Sequence, residues 1–171
     1  FWAPSTRSFI TLTDPSLYPY KMKITFAGYN RSAPLTNFPA LAVLHPALSD
    51  RFLYSQFVST NGYDLRFADA TETNILNYEF EKWNTSGNSY VWVQVPELTN
   101  NAYVWAYWGD TNATFQRSYT TNGATWDTYF KGVWHMAGTN AQDSTANGHN
   151  GTAQGTVSSV STGLIANANN F

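Results

Sequence analysis

The sequence predicts an all-β fold, an antiparallel β-sandwich with at most one short helix. Apolar and polar side chains alternate over several short runs, which is the period-two pattern of strands. Turn-forming residues separate these runs at short intervals, as at Asn61-Gly62, 84–88 and Asn100-Asn101. Helical periodicity is nearly absent from the chain. Short strands at this spacing are typical of an antiparallel sandwich.

Six runs are predicted to be the strands of this sandwich. The first shows the pattern most clearly, because Tyr, Met, Ile and Phe alternate there with Lys, Lys and Thr. The second is a short and almost wholly apolar run. In chain order, the six runs are 20–26, 38–44, 64–68, 75–83, 90–95 and 103–108.

One segment, 46–57, is predicted to be a short helix of about two turns. Pro46 would lie near its start, where the missing N–H of proline is tolerated. The apolar face of this helix would consist of Leu48, Phe52 and Leu53.

Composition narrows the possible functions. Of the 171 residues, 12% are charged and 17% are aromatic, with seven Trp, no Cys and a net charge of −2. Without Cys, the chain forms no disulfide and no thiolate metal site. Because no basic cluster is present to bind a phosphate backbone, we expect no nucleic acid partner. No run approaches the ~18 consecutive apolar residues of a membrane-spanning helix. A chain rich in Asn, Thr and Trp and poor in charge indicates an extracellular or cell-surface protein.

The composition changes near residue 118, which divides the chain into a sandwich unit, 1–118, and a tail, 119–171. The tail holds seven of the eleven Gly and only three charged residues, and one apolar strand is expected there at 132–136. This is too little apolar sequence for an independent core. We therefore expect the tail to dock on the first unit, on a neighbouring molecule or on further sequence.

Two stretches resemble known families. Residues 20–110 contain YKMKITF, LTNFPALAVL, DLRFADATETNILNYEFEKW, YVWVQVPEL and AYWGD in that order. The order of these motifs resembles that in a family of uncharacterised domains of bacterial and archaeal surface proteins. In that family an Asn usually stands at the position of Asp110. Residues 132–171 contain GVWHM, DSTANGHNGTAQG and GLIANANNF. They resemble the opening of a LamG or concanavalin A-like jelly roll, a domain that commonly follows the first.

The resemblance implies an exported, surface-associated protein with a jelly-roll-like all-β fold, and it implies no particular reaction. A complete jelly roll has about eight strands. The tail is long enough for two or three of them, so the second domain would be truncated.

The alternation also predicts a candidate binding face, provided that the last four runs form a meander. Each run then turns its polar or aromatic side chains to the side opposite its core-facing residues. Aromatic rings stack on sugar rings, and charged side chains form hydrogen bonds with sugar hydroxyls. The sequence therefore predicts that a polysaccharide or glycan binds eight residues: Asp64, Arg66, Glu79, Glu81, Trp83, Trp92, Gln94 and Trp105.

The same residues allow a purely structural interpretation. Large aromatic side chains most often lie between sheets or under a loop. Arg66 would then form a cross-strand ion pair with Glu79 or Glu81. The N-terminal segment 1–19 would also be able to cover this face.

No catalytic residue is expected. Glu79 and Glu81 are two residues apart, which suits the carboxyl pair of a glycosidase. Concanavalin A-like glycoside hydrolases carry a third acid two residues further on, where this chain has Trp83. A glycoside hydrolase is therefore only an alternative, and the prediction is that the protein is not an enzyme.

No metal or other cofactor is expected. The three histidines lack the spacing of a zinc site: His45, His135 and His149. Calcium is an alternative near one loop with four oxygen-bearing side chains: Asp64, Asp69, Glu72 and Asn74. An ordinary polar turn is the simpler interpretation of that loop.

Two hypotheses of function follow. The first is a non-catalytic surface module that binds carbohydrate, and is thereby adhesive, through the aromatic and acidic face. The alternative is a structural subunit of an extracellular filament or surface layer. An unpaired strand of an incomplete jelly roll would pair with another copy of the chain, which is strand donation.

Overall fold

The computed structural model describes residues 15–48, 52–113, 115–139, 141–161 and 163–170. Within these ranges the predicted all-β class is confirmed, because eight strands pair in antiparallel sheets and helical structure is limited to 3₁₀ turns. No helical segment in these ranges is long and apolar enough to span a membrane. The strands are β1 (Tyr20–Phe26), β2 (Leu35–Leu44), β3 (Arg66–Ala68), β4 (Tyr78–Lys82), β5 (Ser89–Leu98), β6 (Ala102–Trp108), β7 (Ser158–Val160) and β8 (Ala168–Asn170).

Two three-stranded sheets pack face to face. Sheet I has the strand order β1-β6-β3 and sheet II the order β2-β5-β4, while β7 and β8 pair as a separate hairpin. Val104 and Ala106 of sheet I belong to the same buried cluster as Val91 and Val93 of sheet II. Burying an aliphatic side chain of this size contributes about 1.5–3 kcal/mol. The inner faces therefore share one apolar core that holds the two sheets together.

The last four runs of the sandwich unit do not form the meander on which the predicted binding face depends. β3 pairs with β6 in sheet I, whereas β4 pairs with β5 in sheet II. The chain changes sheets between β3 and β4, and it changes again between β5 and β6, where Asn101 has a left-handed φ of 61°. Alternation shows which side chains of one strand share a face, but it does not show which sheet that strand joins. The eight residues predicted for one face are therefore divided between two sheets.

A β-bulge in β4 moves Trp83 away from that face. The register with β5 shifts between Phe80 and Lys82, and one extra residue reverses the alternation beyond it. Trp83 consequently packs against Phe57 and Phe80, and its Nε1 donates to the carbonyl of Thr60 at 2.9 Å. The predicted sugar platform is here part of the aromatic packing between the sheets.

Asp64 anchors the loop before β3 to the end of β6. Its carboxylate accepts hydrogen bonds from the backbone N–H groups of Val58 at 2.9 Å, Ser59 at 3.1 Å and Gly109 at 2.9 Å. Gly109 has a φ of 93°, and a Cβ there would lie 2.8 Å from the ring of Tyr20, so this approach requires glycine. Asp64 is fully buried. It is therefore a structural carboxylate and is not exposed on a binding face.

The helix predicted over 46–57 is reduced to one 3₁₀ turn, Tyr54–Gln56, among the residues described there. Of the three side chains of the predicted apolar face, only Phe52 is buried, and the other two are 39% and 46% exposed. Gln56 accounts for the short turn. Its side-chain oxygen accepts hydrogen bonds from Trp108 Nε1 at 3.1 Å and from a backbone N–H at the start of the turn.

Candidate functional site

The tail covers the outer face of sheet II. This face carries four of the predicted sugar-binding residues: Glu79, Glu81, Trp92 and Gln94. Trp126 Nε1 donates to Glu79 at 2.7 Å, and Gln94 Nε2 donates to the carbonyl of Thr125 at 3.1 Å. Of the three docking partners expected for the tail, the first unit is the one that the structure shows. Residues 1–14 of the N-terminal segment that was expected to cover this face lie outside the described residues.

His135 of the tail lies between the two carboxylates of β4. Its Nε2 is 3.3 Å from Glu79 Oε1, and its Nδ1 contacts Glu81 Oε2. Ser144 Oγ also donates to Glu79, at 2.6 Å, and Trp92 Nε1 donates to Glu81 at 3.0 Å. None of the three ionisable side chains is more than 16% exposed. We call Glu79, Glu81 and His135 the Glu–His–Glu cluster.

The environment of the cluster favours a protonated histidine. Burial opposes the charged form of His135, but the neighbouring carboxylates of Glu79 and Glu81 outweigh burial and raise the pKa of His135 to about 9. Burial also acts to raise the pKa of Glu81. The hydrogen bonds from His135 and Trp92 outweigh it and hold the pKa of Glu81 below its ordinary value. At neutral pH the cluster is therefore an ion-paired clamp between β4 and the tail.

Two indole rings flank His135. The ring of Trp92 lies 6.2 Å from the imidazole at an angle of 28°, and the ring of Trp126 lies 5.6 Å from it. A protonated imidazole is attracted to the electron-rich faces of such rings. Trp92, which was predicted as an exposed sugar platform, is thus engaged by the tail.

Arg66 and Trp105 lie away from this cluster, in sheet I. Arg66 is 1% exposed, and its Nη1 donates to the carbonyls of Tyr63 at 2.7 Å and Leu65 at 2.6 Å. No carboxylate in the described part of the chain forms an ion pair with it, so the cross-strand pair predicted with the glutamates of β4 is wrong. Trp105 lies on the outer face of sheet I, where Lys21 Nζ is 4.5 Å from its ring centre. Together with Asp64 and Trp83, these residues complete the eight that were predicted.

The side chains considered for calcium bind different groups. Asp69 closes its own turn and accepts a hydrogen bond from Asn74 Nδ2 at 2.6 Å. Glu72 forms an ion pair with Lys21 at 3.0 Å and accepts a hydrogen bond from the hydroxyl of Tyr107. Asp64, as described above, binds backbone N–H groups. Within the described ranges, no group of three His, Asp or Glu side chains is arranged to hold a metal ion.

A cleft of about 580 Å³ opens where sheet II meets the start of the tail. Trp126 and Tyr119 supply aromatic side chains to its wall. We call it the polar cleft, since its other lining includes four amides, two carboxylates and one hydroxyl: Asn37, Asn74, Asn77, Gln94, Asp69, Asp127 and Thr128. Among the described residues that line it, none is Lys, Arg or His.

Two amides of the polar cleft are held in place by hydrogen bonds, whereas one tyrosine hydroxyl lacks a hydrogen-bond partner among the described residues. Asn77 Nδ2 donates to Gln94 Oε1 at 3.1 Å and to the carbonyl of Ala124 at 3.1 Å, which orients both amides. Tyr119 is 7% exposed, and its hydroxyl is buried without a hydrogen-bond partner in the described part of the chain. Leaving such a group unpaired costs about 1–3 kcal/mol.

The residues that sequence reasoning missed belong mainly to the tail: Tyr119, Trp126, Asp127, His135 and Ser144. They were missed because the tail was treated as a separate unit with its own strand. The strand predicted over 132–136 is reduced to one bridge, between Trp134 and Asp143, and Met136 has a left-handed φ of 56°. The only available signal was a histidine within an apolar run, which does not identify a partner.

Comparison with known proteins gives one match. A family model described as "Domain of unknown function (DUF2341)" matches residues 61–136. The matched range includes the whole Glu–His–Glu cluster and extends from β3 into the tail. No curated protein and no solved structure matches the chain. Over this range the chain is therefore similar to a family whose function is unknown.

Proposed function

We propose that this chain is a non-catalytic, extracellular or cell-surface module that binds neutral carbohydrate in the polar cleft. The observation that carries the proposal is the chemistry of the residues that line the polar cleft. Amides, carboxylates and a hydroxyl surround the cleft together with Trp126 and Tyr119. The low charge of the chain, 12% of residues, supports the extracellular location.

The lining suits the hydroxyl groups of a sugar. Each hydroxyl both donates and accepts, and amide side chains offer both functions in fixed positions. Carboxylates such as Asp127 accept stronger, charge-assisted hydrogen bonds, and aromatic surface packs against the apolar face of a sugar ring. The described lining holds two carboxylates and no cation. An anionic sugar would be repelled there, so neutral carbohydrate is the expected class.

The contacts of Glu79 and Glu81 support a non-catalytic role. Glu79 accepts hydrogen bonds from Trp126 and Ser144, and Glu81 accepts one from Trp92. His135 lies between both carboxylates. A glycosidase needs its acid and its base to face the scissile bond, whereas these two groups bind the tail.

Retention on a panel of immobilised neutral polysaccharides tests the proposal, followed by calorimetry with oligosaccharides of the best-bound polymer. Asp127→Asn combined with Thr128→Val changes the cleft but keeps its shape. We expect at least about tenfold weaker binding, because a charge-assisted and a neutral hydrogen bond are lost. The control, Glu97→Gln with Thr99→Val, makes the same chemical changes outside the cleft and should bind like the wild type.

Two results would contradict this function. Equal affinity of the cleft variant and the control would place binding elsewhere, and no retention on any polymer would remove the proposal. Release of reducing ends by the wild type, abolished by Glu79→Gln, would instead support the hydrolase alternative.

A second function, assembly by strand donation, is favoured by an apolar groove between the tail and sheet II. The groove has a volume of about 640 Å³, and Leu164 on its wall is 99% exposed. In the described part of the chain, β7 and β8 pair only with each other, so their outer edges lack partners. The occupant we propose is a strand from a second copy. It would pair with an edge of the hairpin and bury apolar side chains in the groove.

A further inference from the structure

The outer face of sheet I carries a separate group of aromatic and basic side chains. On β6, Tyr103 and Trp105 point outward, and on β1 Lys21 and Lys23 point to the same side. The register places Lys23 directly opposite Trp105. We call these four residues the aromatic–lysine face. None of them lines the polar cleft, so this face is independent of the function proposed above.

The two lysines lie over the rings. Lys23 Nζ is 3.8 Å from the centre of the Tyr103 ring, and Lys21 Nζ is 4.5 Å from that of Trp105. Both lysine side chains are exposed, and both rings are partly exposed. An exposed cation–π contact contributes only about 0.5–1 kcal/mol. Since these contacts are weak, a ligand that offers both a flat apolar face and a negative charge can replace them.

The charge of the face selects the ligand. Lys21 is paired with Glu72 at 3.0 Å, whereas no described carboxylate lies within ion-pair distance of Lys23. The face therefore has a surplus positive charge on a chain whose net charge is −2. A carboxylate at Lys23 would gain a charge-assisted hydrogen bond. A neutral sugar would gain ring stacking and a hydrogen bond from the ammonium to a hydroxyl, but no attraction between opposite charges.

We propose that the aromatic–lysine face is a second carbohydrate-binding surface, specific for acidic polysaccharides that carry carboxylates on their sugar rings. The sugar rings pack on Trp105 and Tyr103, and Lys23 binds a carboxylate. Lys21 lies two residues away on the same strand, which is about 6–7 Å. Because the ammonium group of Lys21 is paired with Glu72 at 3.0 Å, Lys23 is the lysine left to bind a carboxylate of the polymer.

Two polymers that differ only in this charge provide the test, polygalacturonate and its methyl ester. Calorimetry on the full chain at low salt should show binding of polygalacturonate, much weaker binding of the ester, and loss of affinity as salt rises. Lys23→Gln should weaken binding of polygalacturonate about tenfold and reduce the salt dependence. Tyr103→Leu removes a ring but no charge, so it should weaken binding and leave the salt dependence unchanged.

Matched variants separate this surface from other causes. Lys82→Gln, on sheet II, makes the same change in net charge and should bind polygalacturonate like the wild type. The cleft variant, Asp127→Asn with Thr128→Val, should also bind it normally, whether or not the cleft binds neutral sugar. Equal losses in Lys23→Gln and Lys82→Gln would overturn the proposal. Equal affinity for the ester, or no binding of polygalacturonate, would overturn it as well.

Discussion

Asp64 contributes to the fold through buried polar contacts. Three backbone N–H groups, from two distant segments, donate to its carboxylate. Each buried donor left without a partner costs about 1–3 kcal/mol.

Asp64→Ala is therefore expected to lower the free energy of unfolding by about 3–5 kcal/mol. Urea denaturation followed by tryptophan fluorescence measures this change. Glu97→Ala is the control, because Glu97 is an exposed carboxylate, and it should change stability by no more than about 0.5 kcal/mol. A similarly small effect of Asp64→Ala would contradict the structural role.

Individual side chains were the hardest feature to predict from the sequence. Alternation correctly placed Glu79 and Trp92 opposite the core, because β4 and β5 are regular there. Trp83 was misplaced since nothing in the residue pattern marks the bulge that precedes it. Arg66 was misplaced because a buried guanidinium that binds backbone carbonyls has the same sequence signature as an exposed one.

At the scale of elements, each of the six predicted strand runs of the sandwich unit overlaps a strand. For β1 the bounds agree at both ends, since Tyr20–Phe26 alternates without interruption. The pairing of these strands into sheets was less predictable than their positions in the sequence. The two partners of β6 lie in distant parts of the chain, and alternation carries no information on distant partners. The contact between the tail and sheet II depends on the same kind of long-range information.

The attachment of the tail is expected to depend on pH through His135. The folded-state pKa of about 9 lies above the ordinary value of about 6.5. The stabilisation that protonated His135 gives to the docked tail is therefore complete below about pH 6.5, and it is lost as the pH rises through 9. The pKa of Glu81 is lowered, so its contribution is present above its ordinary value and is lost as the pH falls. Docking should be tightest at weakly acidic pH.

Amide-exchange protection of the docked tail residues, compared at pH 6 and pH 10 after correction for intrinsic rates, measures this dependence. We expect about tenfold lower protection at pH 10. His135→Gln should remove the pH dependence of protection. His45→Gln is the control, because His45 lies outside the Glu–His–Glu cluster, and this variant should keep the dependence. Equal protection of the wild type at both pH values would show that the ion-paired clamp does not hold the tail.

For the whole molecule, strand donation predicts assemblies that depend on the apolar groove. Light scattering and negative-stain microscopy of the wild type should then show particles far larger than the 19.1 kDa chain. Leu164→Asp should give monomers, because a buried charge in the interface is costly. Tyr129→Asp alters another highly exposed apolar residue outside the groove and should still assemble. A wild type that stays monomeric over a wide concentration range would contradict strand donation.

The candidate site as a whole was predictable only in part. Sequence patterns identified aromatic and acidic side chains on β4 and β5, and Gln94 does line the polar cleft. They did not identify the cleft itself, because its walls come from β2, β5, the 69–77 segment and the tail. A site made by segments far apart in the sequence has no local pattern. It appears only when the fold brings those segments together.

The order of the strands also determines when the protein can fold during synthesis. β1 pairs with β6, 76 to 88 residues later, and β2 pairs with β5, 45 to 63 residues later. Among the described strands of the two sandwich sheets, only β4 and β5 are neighbours both in sequence and in a sheet, so their hairpin is the local nucleus of the sandwich. Long-range pairing of this kind slows folding and leaves apolar strands unprotected meanwhile. A nascent chain must expose β1 until β6 leaves the ribosome, and β2 until β5 does, so chaperone binding at these strands would be an advantage.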